Sequence, residues 1–132
     1  MREREIRLER LTRRECREAI EMGHFKAAIL PMGSIEQHLE HLAIYQDIAG
    51  STYIAEHAVD ALYLNVAVAV PMSIGISEHH MFSPGTLSAK PISWLGVMFD
   101  AVESLMRHGI KKVLLLNDHR GDVPPVRNTI EQ

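Results

Sequence analysis

Lys26-Ala-Ala-Ile-Leu-Pro-Met-Gly33 is the stretch on which the fold turns. An apolar run this short, closed by Pro31 and Gly33, predicts a buried strand over residues 26–30 rather than a helix. Upstream, Thr12 and Glu15 stand at capping-box spacing, and Cys16, Ala19 and Ile20 share one face of a short helix ending near Gly23. Downstream, from about Ile48, the positions Ile54, Ala55, Ala58, Val59 and Leu62 recur at helical spacing. Residues 64–70 carry Val at every second position before Pro71 and predict a second strand. The following segment to Pro91 carries Gly75, Pro84 and Gly85 and, at roughly twenty residues, is long enough for a compact domain to suggest a binding loop. Trp94, Leu95, Met98, Phe99, Val102, Leu105 and Met106 then form a helical stripe of core packing, closed by Gly109, and residues 113–116 are a third buried run. Strands separated by single helices imply a mainly parallel sheet covered on both faces through right-handed crossovers. The expected architecture is a three-layer α/β/α sandwich forming a single domain over residues 1–132.

Composition limits the partners. With 14 Lys+Arg against 17 Asp+Glu, the net charge of −3 provides no field of one sign, which argues against nucleic acid or an anionic membrane as partner. Residues 62–71, the most apolar stretch, are about half the ~18 needed to cross a bilayer. The opening MREREIRLERLTRRECRE alternates Arg with Glu, lacks the apolar core of a secretory signal, and reads as a solvated approach to the first helix. Cys16 is the single cysteine, forms no internal disulfide, and reads as buried and inert. These features together predict a cytoplasmic protein.

In open α/β sheets, ligands bind beyond the carboxyl ends of the strands. After the first strand come Glu36, His38 and His41, then Asp47; after the second, Ser77, Glu78, His79 and His80; after the third, His119 and Asp122. All three segments are predicted to converge on one rim. Without thiolates, Glu36, His38, Asp47 and His119 are the donors that suit zinc or manganese. Glu36 and His38, two apart in extended chain, leave on the same side. A carboxylate such as Asp47 can bridge two ions that hold a hydroxide nucleophile, so metal-assisted hydrolysis is the expected chemistry. His41, Ser77, Glu78, His79, His80 and Asp122 are candidates for substrate contact or support of the ligands. His24, His57 and His108 read as structural, the last at a helix C-terminus that favours its charged form.

Gly33-Ser-Ile-Glu-Gln-His38 with His41 and Asp47, Gly75-Ile-Ser-Glu-His-His80 followed by Pro84-Gly-Thr-Leu-Ser-Ala89, and the strand ending in Asn117-Asp-His119 occur in an order that resembles the creatininase (creatinine amidohydrolase) family. The resemblance runs from about Ala28 to Asp122. It implies a creatininase-like fold and a centre of two zinc or manganese ions, with Glu36 and His119 on one ion, His38 on the other and Asp47 bridging. It also implies a metal-bound hydroxide attacking an amide or cyclic amide C–N bond of a small molecule, creatinine-like or a formamide, in a homo-oligomer, often a hexamer. Family chains are about twice as long, so the resemblance covers their amino-terminal half and lacks the carboxyl-terminal half that supplies an acid/base His. Leu39-Glu40 replace a Gly-Pro pair, which predicts a different turn and substrate-facing wall, and the family's FPGT reads Phe-Ser-Pro-Gly-Thr86. Asp118 replaces a glycine at a position where positive φ is expected, and Gly121 replaces the Glu that serves the second ion in creatininase, leaving Asp122 or water to stand in. Two other readings compete with the amidohydrolase. One is a non-catalytic or truncated metal-binding domain acting through self-assembly or a partner at an open sheet edge. The other is an unrelated small-molecule binder, which the absence of a GxGxxG or GxxxxGK[ST] loop disfavours.

Overall fold

The computed structural model describes residues 5–62 and 65–130. Its centre is a three-stranded parallel sheet in the order β2-β1-β3, with β1 at Ala27–Met32, β2 at Val66–Val68 and β3 at Val113–Asn117. In register, Ile29 stands between Val68 on one side and Leu114 on the other. Strand β1 runs on through Pro31, past the expected stop. The carbonyls of Ile29 and Pro31 accept from Ala69 and Met72 N–H on the β2 side, Met32 bridges to Met72, and β3 pairs with Pro31 and Met32 on the other side, so the one N–H that Pro31 lacks does not end the strand. Strand β2 is shorter than the sequence suggests; Leu64 lies outside the described residues and Val70 is exposed.

Among the described residues four α-helices accompany the sheet: α1 (Arg13–Glu21), α2 (Gln46–Ala61), α3 (Pro91–Arg107) and α4 (Val123–Ile130). The Thr12–Glu15 capping box opens α1, with Glu15 N–H on Thr12 Oγ1 at 3.3 Å and Thr12 N–H on Glu15 Oε2 at 2.8 Å. Alternation along β1 divides the core into two faces. Ile29 packs with Val68, Ile6 and the α2 residues Ala55 and Val59. On the other face, Leu30 and Met32 pack with Trp94 and Met98 of α3, while Phe25, Ala28, Ala67 and Ile110 meet Ala19 and Ile20 of α1. The connections β1→β2 and β2→β3 step in opposite directions, so helices on opposite faces give both crossovers the same hand, as the right-handed rule requires. The three layers of the expected sandwich are therefore present.

Several local readings are corrected. The buried stripe of α2 is Ile48, Thr52, Ala55 and Val59; Ile54 and Leu62, expected in it, are 52 % and 66 % exposed. Admitting the small polar residues Ser51 and Thr52 to the buried face rotates the helix away from the purely apolar reading. Trp94 and Met98 anchor α3, whereas Phe99 and Met106 of the same stripe are exposed. No helix was expected after β3, yet Pro124 and Pro125 sit in the first turn of α4, where a backbone N–H has no intrahelical partner to lose. The amino-terminal approach is more than a solvated run: Ile6 is buried, its carbonyl accepts from Val68 N–H at 2.8 Å, and Arg7 pairs with Glu56 at 3.0 Å. Cys16 is half-buried rather than buried. Among the described residues, no helix is long and apolar enough to cross a membrane.

Candidate metal centre

Close backbone approach builds the site. A Cβ on Gly33 would lie 2.8 Å from both the main chain and the side chain of Asp47, so only glycine lets the chain leaving β1 press against the first turn of α2. That contact sets the Asp47 carboxylate beside the strand end. The segment beyond is tied down by Glu36 N–H on the Ile44 carbonyl at 3.1 Å and Gln37 N–H on Thr86 Oγ1 at 3.2 Å. Leu39 has φ +57°, the region that favours glycine, so the turn after His38 is of a glycine type although a leucine makes it. Asp118, by contrast, does not adopt the positive φ expected of it; among the described residues Leu39 is the one non-glycine that does. The Asp118 carboxylate instead lies against Gly50 of α2.

Glu36, His38, Asp47 and His119 come together as expected. His119 Nδ1 is 3.1 Å from Glu36 Oε1 and 3.1 Å from Asp47 Oδ2, and His38 Nε2 is 3.0 Å from Asp47 Oδ1. The opposite ring nitrogens define the tautomers. His119 Nε2 lies 3.1 Å from the Ile76 carbonyl and His38 Nδ1 lies 3.2 Å from the Glu36 carbonyl. A carbonyl only accepts, so each of these nitrogens carries the proton. In the neutral rings, the bare nitrogens then face two carboxylates. Glu36, Asp47 and His119 are buried, and among the described residues Glu36 Oε2 and Asp47 Oδ2 have no hydrogen-bond partner. Two adjacent buried carboxylates facing imidazole lone pairs are unfavourable unless a positive charge lies among them. A divalent ion meets that need, and donating the second ring N–H to a backbone carbonyl is the usual support for a ligating histidine. Glu36, His38 and Asp47 each present a donor atom within 4.8 Å of the others. The residues thus fit a cation of the zinc or manganese type.

Proton affinities agree with this picture. Burial raises the Asp47 pKa, and the neighbouring Glu36 charge raises it further against the pull of His38 and His119. For His119 burial acts downward, but the Ile76 carbonyl and the charges of Asp122, Glu36 and Asp47 prevail and raise it. Asp122 is pushed up to about 6, chiefly by burial, although Ile76 N–H on its Oδ1 at 2.8 Å and His119 act the other way.

The remaining candidates divide. Ser77 is buried, 2.6 Å from Ser34 Oγ and 3.3 Å from His119 Nε2, and so backs the histidine. Asp122 is fully buried on the same side and stands outside the clustered ligand groups found among the described residues. Gly121 admits no side chain: a Cβ there would overlap the Ile76 carbonyl and come within 2.5 Å of His119 Nε2. His79 and His80 lie on a 3₁₀ turn of the long loop, and each offers a donor atom to a second group with Glu36. Glu78 and His41 are exposed, and neither belongs to a ligand group found among the described residues. Of the three histidines read as structural, His57 stacks on Tyr53 at 3.7 Å and His108 caps α3, both exposed. The sequence reading gave no role to Gln37, whose side chain lies 3.0 Å from His80 Nδ1. Its place in the sequence between the candidate ligands Glu36 and His38 is the signal that could have marked it.

A family model described as creatinine amidohydrolase matches residues 9–132. The creatinine amidohydrolase of Pseudomonas putida is 25 % identical over 96 residues, covering 69 % of this chain and 36 % of that protein. Among solved structures, creatinine amidohydrolase (creatininase) superposes with a TM-score of 0.85 at 22 % identity, over 97 % of this chain and 50 % of that one. A Mn creatininase and a mutant creatininase of Zn-Zn type each give 0.84 at 22 % identity; both cover 97 % of this chain, and 51 % and 50 % of theirs. The chain therefore spans about a third of the curated relative and half of these structures.

Proposed function

This chain belongs to the creatininase family, and from that membership we propose that it carries the metal-binding half of a metal-dependent amidohydrolase acting on an amide or cyclic amide C–N bond of a small molecule, creatinine-like or a formamide. One observation carries the reading. Two histidines, each holding its ring proton on a backbone carbonyl, direct their other nitrogen at two buried carboxylates, each with an oxygen that accepts no hydrogen bond among the described residues. Glu36, His38, Asp47 and His119 would hold zinc or manganese. An ion of this kind supplies Lewis acidity toward a carbonyl and makes water acidic enough to act as a nucleophile near neutral pH. The protein's own part is to keep the donors in place. The Ile76 carbonyl and Ser77 orient His119, the Glu36 carbonyl orients His38, and the packing of Gly33 against α2 sets Asp47. A cytoplasmic homo-oligomer belongs to the same proposal.

A second reading, a metal-binding domain that acts through self-assembly or a partner without turnover of its own, is favoured by a specific feature. Among the described residues β3 pairs only with β1, and Leu114 on it is 58 % exposed. Metal content per chain, on protein purified without chelator and with Asp47→Ala alongside, tests the shared premise. Ions present in the parent and lost in the variant support it, and a metal-free parent refutes it. Turnover of cyclic amides or formamides by the loaded protein then separates the two readings, since metal and a tight dimer without turnover select the second.

A further inference from the structure

The long loop between β2 and α3 brings two histidines to Glu36, in a group separate from the one that Glu36 forms with His38 and Asp47. His80 Nε2 stands 3.9 Å from Glu36 Oε2, the buried oxygen that no hydrogen bond reaches. The His79 ring lies 4.2 Å from that of His80, and 6.3 Å from that of His119. Glu36, His79 and His80 each offer a donor atom within 4.8 Å of the others. Donors around a tetrahedral zinc ion stand roughly 3.3 Å apart, from metal–nitrogen bonds of about 2.0 Å. The group therefore needs a modest contraction, which the exposed His79 on its short turn can supply.

We propose that Glu36, His79 and His80 form a second divalent-cation site, with Glu36 bridging it through Oε2 to the Glu36–His38–Asp47 group that it serves through Oε1. The set of one carboxylate and two imidazoles suits zinc, and with one exposed ligand it leaves a coordination position open to water or substrate. The second site extends the amidohydrolase reading, which itself requires only the first.

The hydrogen bonds around His80 say what must change when the ion enters. Leu39 N–H donates to Gln37 Oε1 at 3.0 Å, so the Gln37 amide nitrogen is the group that faces His80 Nδ1, and the ring proton is on Nε2, toward Glu36. A cation takes that proton's place. The proton moves to Nδ1 by exchange with water, and Gln37 turns its amide so that its carbonyl oxygen accepts from Nδ1–H. Leu39, 74 % exposed, gives its N–H to solvent. Neither charge nor proton count on the ring changes, and His80 becomes a ligand backed by an amide carbonyl, as His119 and His38 are backed by main-chain carbonyls.

Zinc stoichiometry of the tag-free full chain, by titration against a chromophoric chelator with elemental analysis of the same samples, tests this. Two ions per chain are expected for the parent and one for His79→Ala or His80→Ala, with thermal unfolding of the metal-free proteins showing that the variants fold. His38→Ala should retain the ion at Glu36, His79 and His80. One ion in the parent, lost in His38→Ala and kept in both loop variants, overturns the second site and leaves the amidohydrolase reading intact. Two ions unchanged in both loop variants overturn it as well. No ion in the parent refutes both.

Discussion

Replacing Asp122 by Asn removes a proton-binding group sealed behind His119. The residue is fully buried; Oδ1 accepts from Ile76 N–H at 2.8 Å, and Oδ2 has no hydrogen-bond partner among the described residues. Burial is the main reason its pKa rises from 3.8 to about 6. The gap of about 2 units, at about 1.36 kcal/mol per unit, amounts to roughly 3 kcal/mol. The folded chain holds this proton more tightly than the unfolded chain. Its contribution is therefore complete below about pH 4 and is lost as pH rises through about 6. Asn has the same shape, keeps an acceptor for Ile76 N–H and does not titrate. The stability of Asp122→Asn relative to the parent should therefore grow by as much as about 3 kcal/mol between about pH 4 and pH 7. Urea unfolding of chelator-treated protein across that range measures the difference. A difference that stays constant, or that grows as pH falls, refutes the assignment of a buried, proton-holding Asp122.

Two further substitutions separate fold from site. Gly121→Ala puts a methyl against the Ile76 carbonyl and the His119 ring. It should cost about 1–3 kcal/mol by overpacking and weaken zinc binding by about 10–100-fold by tilting His119 off its carbonyl; a zinc titration at parental affinity contradicts this. Thr12→Ala breaks the capping box of α1, a helix that carries none of Glu36, His38, Asp47 and His119. It should cost about 1 kcal/mol by thermal unfolding, with metal content unchanged; a loss of metal would show that α1 is coupled to the site.

What could be read from the chain depended on the range of the interaction that decided it. The Thr12–Glu15 cap, the Gly109 terminus of α3 and the alternation of apolar and helical segments are local, and each appears in the structure. Strand ends were less legible. Whether Pro31 closes β1 depends on what the neighbouring chain offers beyond it, and β3 together with Met72 pairs with Pro31 and Met32. The exposure of Ile54, Leu62, Phe99 and Met106 likewise depends on what each helix packs against.

The same distinction runs through the site. Residue type and order, together with the rule that ligands gather beyond parallel strand ends, determined which of the side chains Glu36, His38, Asp47 and His119 could meet and on which rim. Only the tertiary structure decided how they meet. The tautomer of each ring depends on the Ile76 or Glu36 carbonyl that happens to face it, the proton affinity of Asp122 on its depth, and the pairing of His80 with Gln37 on the path of a loop. Proton positions and desolvation are set by atoms brought close from distant parts of the chain, and no spacing along the sequence encodes those distances.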